Sequence, residues 1–313
     1  MNLLLILLGI ALLYLGGELL VRNASRLAQS WGISPLVIGL TIVAFGTSAP
    51  ELAASLTASL RGSPEIALGN VIGSNSANIA LILAITTIVY PLRGRAEFLR
   101  REMPIMVGTA VVLVAMLLGG VVDRVEGAVL VLLLGGYLGL LLRGREKPDV
   151  EAEFAQEYAG GNDGPPAWLS VLGALFGLVL LVAGAQALVT GATAIARGLG
   201  VPELIIGLTL VAIGTSLPEL ATSIVAALKR ESDIALGNIV GSNVFNILGI
   251  LGVTAMVRPI AVPFGDVVVD LAVMLGFSLL LVPFLMTGLR LSRREGGVLL
   301  VLYLTYVAYL YVR

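Results

Sequence analysis

The chain has 313 residues, 58% of them hydrophobic and 12% charged, with a formal net charge of −1 and a mean hydropathy of +1.02. A soluble domain carries about a quarter charged residues, so this is an integral membrane protein, and its near-neutral balance gives no reason to expect a nucleic-acid partner. It has no cysteine and no histidine, which excludes disulfides, thiolate chemistry and the usual soft ligands of zinc and copper.

The opening stretch MNLLLILLGIALLYLGGELL lacks a basic n-region and an A-x-A cleavage site, so it reads as a retained helix rather than a signal peptide. A helix needs about 20 apolar residues to span a bilayer. By that rule the sequence predicts ten spans, at 2–21, 34–60, 65–90, 103–122, 125–142, 167–196, 201–228, 233–257, 266–287 and 295–312. Short loops separate them. The one sizeable break, 143–166, is charged and rich in Gly and Pro. It divides the chain into an N-terminal five-helix unit, 1–142, and a C-terminal one, 167–313. This linker lacks a D-x-[DN]-x-[DN]-G calcium loop and reads as a solvated hinge.

Lysine and arginine collect on the cytoplasmic side of membrane proteins. With both termini outside, the inner loops hold 14 basic residues (Arg22, Arg26, Arg93, Arg95, Arg100, Arg101, Arg143, Arg145, Lys147, Lys229, Arg230, Arg290, Arg293 and Arg294). The outer loops hold only 5: Arg61, Arg124, Arg197, Arg258 and Arg313. The expectation is an outside location for both termini and a cytoplasmic linker, in the plasma (inner) membrane. An odd number of spans per half inverts the second half relative to the first, a construction used by many secondary transporters. The expected fold is therefore all-α, with ten transmembrane helices as two inverted five-helix repeats.

The repeat is visible in the sequence. Residues 39–83 and 207–251 align without a gap at an offset of 168, with 27 of 45 positions identical. Both copies keep G-T-S-x-P-E-L-A, then A-L-G-N, then G-S-N-x-x-N. The same offset weakly matches Gly17–Val21 with Ala185–Val189. Each copy thus sets a carboxylate, hydroxyls, amides, a proline and glycines in very apolar sequence. Such an internal repeat marks duplicated structural units.

Ionisable groups at membrane depth are costly and usually mark a pathway or site. No Lys or Arg falls within a predicted span, so Glu51 and Glu219 have no basic partner there. The alternatives are a protonated carboxyl or a bound cation. Glu18 and Asp270 lie nearer the interfaces and read as packing or helix-end residues. Thr47, Ser48 and Glu51 have the spacing of one helical face, as do Thr215, Ser216 and Glu219. Ser74, Asn75 and Asn78 repeat it, with Ser242, Asn243 and Asn246. Pro50 and Pro218 cannot donate a backbone hydrogen bond, so each should kink its helix and release a carbonyl about one turn earlier. Carboxylates, hydroxyls, amide oxygens and carbonyls make an all-oxygen site suited to hard cations such as Ca²⁺ or Na⁺. The glycines Gly69, Gly73, Gly237 and Gly241 read as helix-packing residues.

The paired G-T-S-x-P-E and G-N-x-x-G-S-N-x-x-N motifs in five-plus-five spans resemble the cation/calcium exchanger superfamily, nearest its sodium/calcium exchanger branch in the prokaryotic form. The resemblance implies that Glu51 and Glu219 face each other midway through the membrane and share Ca²⁺. It implies that Thr47 and Thr215 complete the calcium site. Ser48, Ser216, Ser74, Ser242 and the carbonyls of Ala44 and Ala212 would line flanking sodium sites, with Asn78 and Asn246 at the centre. It further implies that the first and sixth spans slide against a fixed core. Some family members carry an aspartate where this chain has Asn246, so two glutamates supply all the fixed charge.

The expected function is Ca²⁺/Na⁺ antiport by alternating access, with no cofactor, no obligate protein partner and the lipid bilayer as surroundings. Coupling to protons, or dependence on K⁺, is the alternative. A Ser–His intramembrane protease is excluded by the absence of histidine, and Asp123, Asp266 and Asp270 do not form an aspartyl-protease pair. A channel would share the polar midplane; exchange requiring an ion on the opposite side separates the two.

Overall fold

A computed structural model describes residues 2–143, 166–200 and 212–312. Most of the linker with Arg145 and Lys147, the start of the predicted span at 201–228 with residues 207–211 of the second repeat, and Arg313 lie outside the described residues.

The chain opens with α1 (Asn2–Trp31), ten residues longer than the apolar run alone predicts. The extension holds because Asn23, Ala24, Leu27 and Ala28 recur at helical spacing and are buried. Ser34 then caps α2 (Pro35–Thr47), its hydroxyl accepting from Val37 N–H at 3.3 Å, with Pro35 in the first turn. The helical run breaks at Ser48 and resumes as α3 (Ala49–Leu60), bent by 44°. Pro50 supplies the cause expected from sequence, a missing N–H one turn beyond Gly46.

Next come α4 (Pro64–Val89), β1 (Leu92–Arg93), a π-helical turn at Phe98–Glu102 leading into α5 (Met103–Leu117), β2 (Val121–Val122) and α6 (Arg124–Arg143). After the linker follow α7 (Ala167–Gly198), α8 (Ala212–Thr215), α9 (Leu217–Leu228), α10 (Ser232–Val257), β3 (Ile260–Ala261), α11 (Phe264–Met286), β4 (Arg290–Leu291) and α12 (Arg293–Val312). Among the described residues six helices are each long and apolar enough to cross a membrane, or seven with the bent pair α2–α3. The protein is a helical membrane protein.

The helices carry one addition. Two antiparallel ribbons, each strand two residues long, join the loops: β1 with β4, pairing Leu92 with Leu291, and β2 with β3, pairing Val122 with Ile260. Their cause is local, since loop backbone between helices must find hydrogen-bond partners and Leu92, Val122, Ile260 and Leu291 are buried beneath it.

Helices α4 and α10 form the centre. Their most apolar windows are 78% and 83% buried, against 22–33% for the other spanning helices. Around them, α6 and α12 cross to the opposite half, with Gly127 against the Gly252 carbonyl and Gly296 against the Ala84 carbonyl. Gly237 and Gly241 bring α10 onto the backbone of α2, near Leu36 and Leu40. That matches the packing role expected of them; for Gly69 and Gly73 no described residue lies within 4 Å of an added Cβ. The long helices α1 and α7 run antiparallel in backbone contact. A Cβ on Gly16 would sit 2.8 Å from the Gly177 carbonyl oxygen, and one on Gly177 would sit 2.9 Å from the Gly16 oxygen. Small residues allow this approach where lipid offers no competing hydrophobic gain.

Candidate cation-binding site

Each helix break places a serine and, three residues on, a glutamate. Ser48 and Ser216 both have near-bridge backbone angles, φ −83°, ψ 5° and φ −90°, ψ 5°, a region favoured by turn and site residues. Glu51 and Glu219 then lie in the first turns of α3 and α9, each at most 2% exposed. The break changes the geometry read from spacing. Thr47, Ser48 and Glu51 do not share one continuous helical face, and the hydroxyls turn across to the other half.

Ser48 Oγ donates to Glu219 Oε1 at 3.1 Å, and Ser216 Oγ donates to Glu51 Oε1 at 3.1 Å. The side chains of Thr47 and Thr215 also reach Glu219 and Glu51, and the two carboxylates are close enough to interact electrostatically. Thr47 Oγ1 additionally lies 3.3 Å from Ala44 O and 3.1 Å from Asn238 Oδ1. The Ala44 carbonyl accepts from Ser48 N–H as well, at 3.1 Å, and Ser216 N–H donates to Ile213 O at 3.1 Å.

The asparagines of A-L-G-N hold the glutamate-bearing helices in place. Asn70 Nδ2 donates to Glu51 O at 3.1 Å and Ser55 Oγ at 2.9 Å; Asn238 Nδ2 donates to Glu219 O at 3.3 Å and Ser223 Oγ at 3.0 Å. Sequence reasoning gave these asparagines no role, although their recurrence in both copies was a signal. One turn to two turns along α4 and α10, π-helical stretches begin at Asn78 and Phe245, and such stretches often accompany functional sites. There, Asn246 Nδ2 donates to Asn75 Oδ1 at 3.1 Å and Asn78 Nδ2 donates to Asn243 Oδ1 at 3.3 Å.

Among the described residues, five buried oxygens of this cluster have no hydrogen-bond partner: Glu51 Oε2, Glu219 Oε2, Asn78 Oδ1, Asn246 Oδ1 and Ser242 Oγ. Buried polar atoms are almost always paired, by protein, water or an ion. Four of the five are pure acceptors when the carboxylates are ionised, which fits a hard cation. Ser74, buried in the same turn as Asn75, adds a hydroxyl. Among the described residues no third acid, histidine or cysteine joins the carboxylates.

Three further acids have partners of their own. Glu18 forms an ion pair with Lys229 at 2.5 Å, so the basic partner absent from the spans comes from the end of α9. Asp270 accepts from Tyr306 Oη at 2.6 Å. Glu102, which the sequence pattern does not single out, is buried and accepts from Tyr137 Oη at 3.1 Å, with Arg101 Nε 3.5 Å away.

The sequence pattern of the family described as "Sodium/calcium exchanger protein" matches residues 1–143 and 169–312. The chain belongs to that family. The exchanger is 38% identical over 308 residues to CaxA of Alkalimonas amylolytica, an antiporter by name, covering 96% of each chain. It is 34% identical over 344 residues to the sodium/calcium exchanger MaX1 of Methanosarcina acetivorans, covering 99% of this chain and 98% of that one. A solved structure of the sodium-calcium exchanger NCX_Mj is similar throughout, with a TM-score of 0.85, 31% identity, and coverage of 98% of this chain and 97% of that one. Family membership places the protein in the sodium/calcium exchanger branch expected from its motifs, as a cation-exchanging transporter and not an enzyme.

Proposed function

We propose that the exchanger moves Ca²⁺ against Na⁺ at one site built by Glu51 and Glu219. The observation that carries this reading is the set of unpaired acceptors on two reciprocal halves: Glu51 Oε2 with Asn78 Oδ1, and Glu219 Oε2 with Asn246 Oδ1. Thr47, Thr215, Ser48, Ser216, Ser74 and Ser242 supply hydroxyls, and Ala44 and Ala212 carbonyls, to the calcium position and the sodium positions beside it. Two carboxylates give −2, which matches one Ca²⁺ or two Na⁺; a third sodium would bind without fixed charge of its own.

Competition provides the coupling. Ca²⁺ and Na⁺ need the same carboxylates, so one must leave before the other binds. The empty site does not cross, because bare buried carboxylates are very unfavourable. We read the architecture as ten spans in two inverted repeats, 1–142 and 167–313, with the site near the midplane, both termini outside and the linker cytoplasmic. Support comes from the antiparallel α1–α7 seam, which joins positions related by the 168-residue offset: Gly9 and Gly16 correspond to Gly177 and Gly184, and Gly9 meets Gly184 as Gly16 meets Gly177. Sliding of α1 and α7 along the core is the motion this seam suits.

The test is uptake of radiolabelled Ca²⁺ into proteoliposomes at fixed membrane potential, under outward gradients of Na⁺, K⁺ or H⁺. Uptake driven by Na⁺ alone is expected. Uptake driven only by H⁺ would favour proton coupling, a reading that the two-carboxylate site also accommodates. No uptake under any gradient would remove Ca²⁺ as the cargo.

A further inference from the structure

Behind the central amides lies a pair of thioethers. Met106 on α5 and Met274 on α11 are related by the same 168-residue offset, and each is at most 1% exposed. Asn243 Nδ2 points at Met106 Sδ at 3.5 Å, and Asn75 Nδ2 points at Met274 Sδ at 3.8 Å. Each methionine therefore touches the amide that in turn touches the candidate ligand of the opposite repeat copy.

We infer that Met106 and Met274 are positioning residues that fix which end of the Asn78 and Asn246 amides faces the cation. A thioether can accept a hydrogen bond weakly and can never donate one. Met274 thus requires the NH₂ end of Asn75 and repels its oxygen. With NH₂ committed to sulfur, Asn75 presents Oδ1 to Asn246, and Asn246 must answer with its own NH₂. Its oxygen is then left facing away from Asn75, and that oxygen is one of the unpaired acceptors. The same logic runs from Met106 through Asn243 to Asn78. An amide turned the other way would point two N–H donors at a cation. The methionines act as one-way anchors for two amide relays.

This inference rests on the reading of Asn78 and Asn246 as cation ligands, and the experiment separates the two. Met274→Leu keeps an apolar side chain of similar volume and deletes the acceptor. In the otherwise unchanged protein it is expected to raise the KM for Ca²⁺ roughly three- to tenfold, the scale of one hydrogen bond, with kcat little changed. In an Asn246→Asp background the relay reverses. A carboxylate accepts at either oxygen, so Asn75 turns its NH₂ to Asp and its oxygen toward position 274. There Met274→Leu removes a repulsion and leaves KM unchanged or lowered, whereas Met106→Leu keeps its full effect. Simple packing would cost the same in both backgrounds, and equal costs, or none in either, overturn the inference. If Met274→Leu does not fold, Met106→Leu against Asn78→Asp makes the same comparison and decides the matter in the same way. If Asn246→Asp itself leaves KM for Ca²⁺ and Na⁺ unchanged, the ligand reading fails and this inference falls with it.

Discussion

Ser48 donates a hydrogen bond to Glu219, a residue of the other half of the chain, at 3.1 Å, and Ser216 donates the same bond to Glu51. Each carboxylate takes its hydroxyl donor from the opposite repeat. The exchange is reciprocal and equal in length, so what holds for one glutamate holds for its partner.

Glu51→Gln and Glu219→Gln are each expected to abolish Ca²⁺ uptake, since either change halves the fixed charge while keeping the shape. Normal transport by either variant, measured in proteoliposomes, would sink the site assignment.

Ser48→Ala removes one donor to Glu219 and leaves Thr47 beside it. The expected result is a KM for Ca²⁺ raised roughly three- to tenfold with the protein folded, one hydrogen bond's worth. Ser216→Ala should match it. A large difference between the two in the same uptake assay would mean that the halves are not equivalent at the site.

Glu18→Gln provides the contrast. The Glu18–Lys229 pair is about one-third exposed on both sides, and pairs of that kind contribute about 0–1 kcal/mol. Transport should continue at near-normal rates, with at most a small fall in melting temperature. Loss of uptake comparable to Glu51→Gln would place Glu18 in the ion path.

Asn70→Ala removes two hydrogen bonds, and Asn238→Ala removes the same two and also the one it accepts from Thr47; each takes a donor away from a backbone carbonyl and a serine hydroxyl. Each should lower stability by about 1–3 kcal/mol, seen as an earlier thermal transition in detergent. An unchanged transition would show that these asparagines do not brace α3 and α9.

The helical membrane class was legible in the sequence because membrane helices announce themselves through long apolar runs, and the repeat related corresponding positions. It marked Glu51, Glu219 and the neighbouring hydroxyls as candidates for the same reason. It could not show which hydroxyl meets which carboxylate: Ser48 and Glu51 are neighbours in sequence, yet the proline break turns Ser48 toward Glu219. Asn70 and Asn238 sit inside a repeated motif, but a brace to a neighbouring helix leaves no periodic signature. Met106 and Met274 are still less visible, since a methionine in an apolar span looks like filler until the amide beside it is seen. Glu102 is hidden by a helix that starts earlier, through a π-helical turn, than its apolar run suggests.

The two small ribbons have a consequence for motion. One ties residues 92–93 to 290–291 and the other 121–122 to 260–261, at opposite ends of α5 and of α11. Further bonds extend both, Gly94 N–H to Leu289 O at 2.8 Å and Val262 N–H to Gly120 O at 3.0 Å. The two halves are thus clasped at top and bottom, like a frame with a crossbar at each end. Pulling them apart would strip backbone groups of partners on both faces at once. Opening the halves like a pair of jaws would therefore cost these bonds at both ends, a cost that sliding along the frame does not incur.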